Sequence, residues 1–206
     1  MESYMNRISN TGIVPVVKIL EKEDAYPLAK ALLNGGIDVI EVTYRSEHAT
    51  SAIQTISKEL PDMLVGAGTV LSVDQAKEAV EAGAKFIITP GFNTKVVQWC
   101  LDHDIEVYPG VSTASEIEMA LSMGLTQLKF FPAESSGGAK KLKDLSAPYA
   151  NVHFMPTGGI NTKNMHDYLA LPNVEAIGGS FMLPNDLVVA KDWDGIEVLS
   201  RACLLY

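Results

Sequence analysis

Apolar runs recur along the chain about every 21 to 25 residues, and a stretch of helical periodicity follows each one. The runs cover 14–19, 39–44, 64–70, 86–90, 107–111, 128–132, 152–157 and 176–180. They are continuously apolar and do not alternate, which marks strands of a parallel sheet covered on both faces. A short helix is predicted over 3–10, ahead of the first run. Between the runs the pattern predicts a helix that starts near Asp24 and ends at Gly35-Gly36, then helices over 48–59, 94–102, 114–123 and 138–145. Ser72 reads as an N-cap with Gln75 completing a capping box, in a helix that ends at Gly83. Thr162 reads as the N-cap of a helix reaching about 169, and further helices complete the C-terminus. Eight strand–helix units are the count of a closed barrel, so the expected fold is an α/β (β/α)8 TIM barrel with a short N-terminal helix, one domain over 1–206. An open doubly wound sheet is the competing architecture, but no G-x-G-x-x-G follows the first run. No linker or low-complexity segment suggests a second domain.

Against this background the charged residues inside strands stand out. The sixth run, Leu128-Lys129-Phe130-Phe131-Pro132, carries a lysine in its middle. Burial disfavours the ammonium form of such a side chain, which makes the amine a nucleophile able to form a Schiff base. A structural ion pair would also place a lysine in a strand. Glu41 is the acid inside the second run, and alternation puts Glu41 and Thr43 on one face, as it does Lys129 and Phe131. If those faces line the interior, an acid and an amine share one pocket. Lys18, after the first run, is a rival amine that spacing does not separate from Lys129. The other lysines, including Lys140, Lys141 and Lys143, lie in polar helical surroundings and read as surface.

Two glycine-rich turns end the last two strands, Thr157-Gly158-Gly159-Ile160 and Gly178-Gly179-Ser180. Glycine lets backbone amides approach an anion, and these are the two loops where barrels of this class hold phosphate. Thr69 closes the small-residue stretch Gly66-Ala67-Gly68-Thr69, which leaves room for a ligand, and Pro90 ends the fourth strand. The four histidines, His48, His103, His153 and His166, are scattered and form no metal-ligating spacing, so no metal or other cofactor is expected.

Composition narrows the partners. A net charge of -9 argues against nucleic acid or an anionic membrane, though not against a small anionic substrate that meets local positive charge. Arginine occurs at only three positions, Arg7, Arg45 and Arg201, which draws attention to Arg45 just beyond a strand end. Cys100 and Cys203 imply no disulfide framework, and no stretch resembles a signal peptide or a membrane span, so a cytoplasmic location is expected.

Four motifs occur in order: Glu41-Val42-Thr43 with Arg45, Gly66-Ala67-Gly68-Thr69-Val70, Lys129-Phe130-Phe131-Pro132-Ala133-Glu134, and Pro156-Thr157-Gly158-Gly159-Ile160. With them the chain closely resembles the KDPG/KHG aldolases, which act on 2-keto-3-deoxy-6-phosphogluconate and 4-hydroxy-2-oxoglutarate. The resemblance implies a metal-free class I aldolase, commonly a homotrimer. It implies Lys129 as the Schiff-base lysine and Glu41 as the general acid/base. It further implies Arg45 and Thr69 as ligands of the pyruvyl carboxylate, and Gly158, Gly159, Gly179 and Ser180 as the phosphate site. Pro90, Phe131, Thr157 and Lys18 are expected to line the substrate pocket. Tyr44, Lys18, Phe92 and Asn93 depart from the family pattern, which bears on substrate range. Two other readings share the eightfold pattern: a phosphate-binding isomerase or epimerase barrel, and a non-catalytic barrel that binds a keto acid.

Overall fold

A computed structural model describes residues 3–205. The apolar runs form strands, and every ladder between them is parallel. The strands β1 (Ile13–Val17), β2 (Val39–Thr43), β3 (Leu64–Gly68), β4 (Phe86–Ile88), β5 (Glu106–Tyr108) and β9 (Ile177–Gly179) make a six-stranded sheet, ordered β5-β4-β3-β2-β1-β9. A three-stranded sheet holds β6 (Gly110–Val111), β7 (Gln127–Phe130) and β8 (His153–Pro156) in that order. Isolated parallel bridges join Thr157 to Gly178 and Phe154 to Val174, between the end of β8 and the region of β9.

Helices alternate with the strands. They are α1 (Tyr4–Thr11), α2 (Ala25–Asn34), α3 (Ala49–Glu59), α4 (Val73–Glu81), α5 (Thr94–Asp102), α6 (Ala114–Ser122), α7 (Gly138–Leu145), α8 (Met165–Leu169), α9 (Asn185–Ala190) and α10 (Trp193–Cys203). Their apolar stripes cover the outside of the strands: Leu28, Leu32, Ile53, Ile56, Val96 and Ile117 are all buried. Each such side chain stabilises the fold by about 1.5–3 kcal/mol relative to exposure. Because the strands are covered on both sides, all five residues of β2 are buried, Glu41 and Thr43 included. The helix α1 lies at the opposite end of the strands from their C-termini. It is fixed there by the Arg7 Nε to Asp38 Oδ2 contact of 2.7 Å and by the Tyr4 N–H donating to Glu106 Oε1 at 2.9 Å.

The structure corrects several local expectations. The fifth run breaks into β5 and β6 at Pro109, which has no N–H for the ladder, although its carbonyl still accepts from Lys129 N at 2.9 Å. The sixth strand stops at Phe130, before the cis peptide Phe131-Pro132. Thr162 is not an N-cap. The α8 helix begins at Met165, because the side chains of Asn161 and Asn164 accept from Lys163 N (2.9 Å) and Asn161 N (2.8 Å) and hold 161–164 as turns. Ser72 does cap α4, but Gln75 Oε1 accepts from Leu71 N at 2.8 Å, one residue short of a reciprocal box. The reciprocal box is at Thr113 and Glu116, at the start of α6. Lys141 is no free surface lysine: it donates to the Ser112 carbonyl and lies 5.8 Å from the centre of the Phe130 ring. Among the described residues, no helix is long and apolar enough to cross a membrane.

Candidate active site

Lys129 projects from β7 and Glu41 from β2, in different sheets, and the two side chains meet in the interior. Lys129 Nζ lies 3.2 Å from Glu41 Oε1 and 3.4 Å from Oε2. Lys129 is 4% exposed and Glu41 0%, so neither charge is bathed by solvent. The ammonium also lies 5.3 Å from the centre of the Phe131 ring. A buried pair of this kind rarely earns its place through stability, since desolvation offsets the attraction.

Room for the carboxylate comes from Gly68. A Cβ there would stand 2.0 Å from Glu41 Oε1, so no larger residue fits while Glu41 keeps its position. Thr43, one β-repeat beyond Glu41, donates to the Val17 carbonyl at 2.8 Å and accepts from Arg45 Nε at 3.1 Å. That contact draws the exposed Arg45 back over the end of β2. It is the only hydrogen bond of Arg45 among the described residues. Thr69 follows β3 directly and holds φ +54, a left-handed conformation that costs a β-branched residue about 1–2 kcal/mol.

The other expected residues also lie at the C-terminal ends of strands. Lys18 follows β1 by one residue and is exposed; the amine paired with Glu41 is that of Lys129. Pro90 is two residues past β4, beside Val70, Leu71 and Phe92 along one depression. Thr157 follows β8. It is 5% exposed, and its Oγ1 is buried without a hydrogen-bond partner. Gly158 (φ +106) and Gly159 (φ +80) then turn the chain in a conformation open to glycine. Gly179 ends β9 and Ser180, exposed, comes next; Gly178 leaves space for Thr157, whose Oγ1 would be 2.2 Å from a Cβ at 178.

Sequence reading missed some contributors. Thr89 is fully buried, donates to the Gly91 carbonyl at 2.7 Å, and accepts from Gly110 N at 3.4 Å, which ties the end of β4 to β6. Its position just before Pro90 was the available signal. Glu134, the last residue of the lysine motif, accepts a hydrogen bond from Tyr168 of α8. Burial pushes the Cys100 thiol up to about 12 and raises that of Cys203, so both stay protonated. A cavity of about 840 Å³ near Tyr4, Glu106 and Tyr108 contains none of the expected residues. Among the described residues, no three His, Cys, Asp or Glu side chains are placed to hold a metal ion together.

A parallel α/β fold in which an amine and a carboxylate from β7 and β2 meet, buried, in the interior defines a protein organised for amine–carboxylate chemistry. The family described as KDPG and KHG aldolase matches residues 4–199. A KHG/KDPG aldolase of Escherichia coli K12 is 47% identical over 195 residues, covering 94% of this chain and 92% of the relative. A crystal structure of KDPG aldolase from Legionella pneumophila, with pyruvate captured at low pH as a covalent carbinolamine, superposes with a TM-score of 0.95 at 40% identity, over 98% of this chain and 99% of that one. The Zymomonas mobilis 2-keto-3-deoxy-6-phosphogluconate aldolase with 3-phosphoglycerate gives a TM-score of 0.89 at 35% identity, over 97% and 94%. The chain belongs to the KDPG and KHG aldolase family.

Proposed function

We propose that this chain is a class I aldolase that cleaves 2-keto-3-deoxy-6-phosphogluconate to pyruvate and glyceraldehyde 3-phosphate, and also 4-hydroxy-2-oxoglutarate to pyruvate and glyoxylate. The observation that carries the proposal is the buried contact of Lys129 Nζ with Glu41 Oε1 at 3.2 Å. Glu41 takes a proton from the amine, and Lys129 attacks the C2 ketone to give a carbinolamine. Loss of water leaves a protonated imine, which draws electrons from C3. Glu41 accepts the C4 hydroxyl proton as the C3–C4 bond breaks; the aldehyde leaves and the bonding pair becomes an enamine. The same carboxyl protonates C3, and water hydrolyses the imine to release pyruvate and restore the amine. These steps balance with no metal and no other cofactor. The covalent carbinolamine in the L. pneumophila relative supports this route.

Arg45 and Thr69 bind the pyruvyl carboxylate in this reading, a charge-assisted contact suited to a guanidinium. Pro90, Phe131, Thr157 and Lys18 line the pocket, and Gly158, Gly159, Gly179 and Ser180 hold the phosphate. The phosphate site has support from the 3-phosphoglycerate in the Z. mobilis relative and from the left-handed φ of Gly158 and Gly159. The two sheets then close into one (β/α)8 barrel, a single domain in which β5 and β6 are one interrupted strand. Support comes from the bridge between Thr157 and Gly178 and from the contact of β7 with β2 through Lys129 and Glu41. A cytoplasmic homotrimer completes the proposal.

The test is borohydride reduction in the presence of pyruvate, followed by mass mapping of peptides. The expected result is a pyruvyl adduct on Lys129; no adduct under saturating pyruvate overturns the proposal. Lys129→Ala, with Lys18 intact, is expected to lower kcat by about a thousandfold or more. Normal turnover by that variant would transfer the role elsewhere.

A further inference from the structure

Glu134 and Tyr168 take no part in the chemistry above, yet Glu134 borders the Gly158–Gly159 turn and Tyr168 holds Glu134 from α8. Glu134 N–H donates to the Gly158 carbonyl at 3.0 Å, and Ala133 N–H donates to that of Thr157 at 2.8 Å. The methylenes of Glu134 run along Gly159: a Cβ at 159 would stand 2.7 Å from Glu134 Cγ and 2.8 Å from Cβ. The carboxylate points the other way. Its Oε1 lies 3.3 Å from the place of a Cβ on Gly138, and there it accepts a hydrogen bond from the Tyr168 hydroxyl. Tyr168 is buried in the helix that follows the turn, 1% exposed. Burial, and then the Glu134 carboxylate, push its hydroxyl well above the ordinary tyrosine range, so it remains a donor.

An acid in this place is a hazard to an anion site. The backbone amides that would take a phosphate would also take a carboxylate, and Glu134 is tethered beside them. Resting on the phosphate reading given above, we infer that Tyr168 is a positioning residue: its hydroxyl holds the Glu134 carboxylate on the Gly138 side and so keeps an internal anion from competing with the substrate phosphate for the Gly158–Gly159 turn.

The test compares wild type, Tyr168→Phe, Glu134→Gln and the double variant on 2-keto-3-deoxy-6-phosphogluconate and on 4-hydroxy-2-oxoglutarate, which carries no phosphate. Inorganic phosphate serves as a competitive probe, and circular dichroism verifies folding. Freeing the charged acid in Tyr168→Phe is expected to raise KM for the phosphorylated substrate, and Ki for phosphate, about tenfold. Its kcat, and both constants on 4-hydroxy-2-oxoglutarate, should stay within about twofold. The double variant should recover most of the lost affinity, since a neutral amide does not compete as an anion. Equal losses on both substrates, or a double variant no better than Tyr168→Phe, would overturn the inference while leaving the phosphate site standing. A wild type that neither prefers the phosphorylated substrate nor is inhibited by phosphate would overturn both.

Discussion

A Cβ placed on Gly68 would meet Glu41 Oε1 at 2.0 Å, so the carboxylate beside Lys129 occupies the space that a side chain at 68 would need. Gly68→Ala therefore has to push Glu41 off the amine or bend β3. Overpacking of this kind is expected to cost about 1–3 kcal/mol of stability, and the displaced acid should lower kcat by about a hundredfold. Urea unfolding and single-turnover kinetics read the two effects separately; an active Gly68→Ala enzyme would mean that Glu41 does not act from this position. Glu41→Gln keeps the volume and removes the base. Its kcat is expected to fall by about a hundredfold or more, while borohydride trapping of pyruvate on Lys129 partly survives. Lys129 and Glu41 were legible in the sequence because each is a lone charge in an apolar run. The space beside Gly68 was not, since a glycine gives no sign of what fills the room it leaves.

At the scale of elements, the cap of α6 has a measurable consequence. Glu116 is partly desolvated, which alone would raise its pKa. Hydrogen bonds from Ser112 and Thr113, through backbone and hydroxyl donors at 2.8–3.3 Å, outweigh that and lower it. A carboxylate depressed on folding stabilises the protein above its unfolded pKa, and that stabilisation is lost as the pH falls through the folded value. Glu116→Gln is accordingly expected to be less stable than wild type by about 1 kcal/mol at neutral pH. The difference should shrink as the pH falls through the depressed folded value, below which both chains carry a neutral side chain. Denaturant midpoints followed from neutral pH downwards check this. The same box shows why some boundaries were hard to read. Thr113 and Glu116 have the spacing that Ser72 and Gln75 have, yet only the former bond reciprocally, because the Gln75 amide reaches Leu71 instead. Helix α5 matched its expected bounds because Asn93 caps it without competition, whereas Asn161 and Asn164 displaced the start of α8 by folding the chain onto their own side chains.

For the whole molecule, periodicity made the parallel α/β architecture readable, since the strands are largely buried on both faces and the helices, α9 excepted, bury one. It did not reveal the interruption at Pro109 or the way Tyr168 reaches Glu134, 34 positions earlier in the chain. Such contacts depend on which elements become neighbours, and no local pattern records that. The proposed homotrimer is a property of the same scale. Light scattering is expected to report three copies of the 22.2 kDa chain, and a monomeric mass at micromolar concentration would remove the trimer from the proposal. The meeting of β7 with β2 has one more consequence. Lys129 and Glu41 are separated by 88 positions in sequence and reach each other only when both sheets are in place. A ribosome-bound chain that has not yet reached Lys129 holds the acid without the amine. On the proposed roles, folding itself arms the catalyst, so an unfinished or misfolded copy presents the carbonyl compounds of a cell with nothing more than an ordinary lysine.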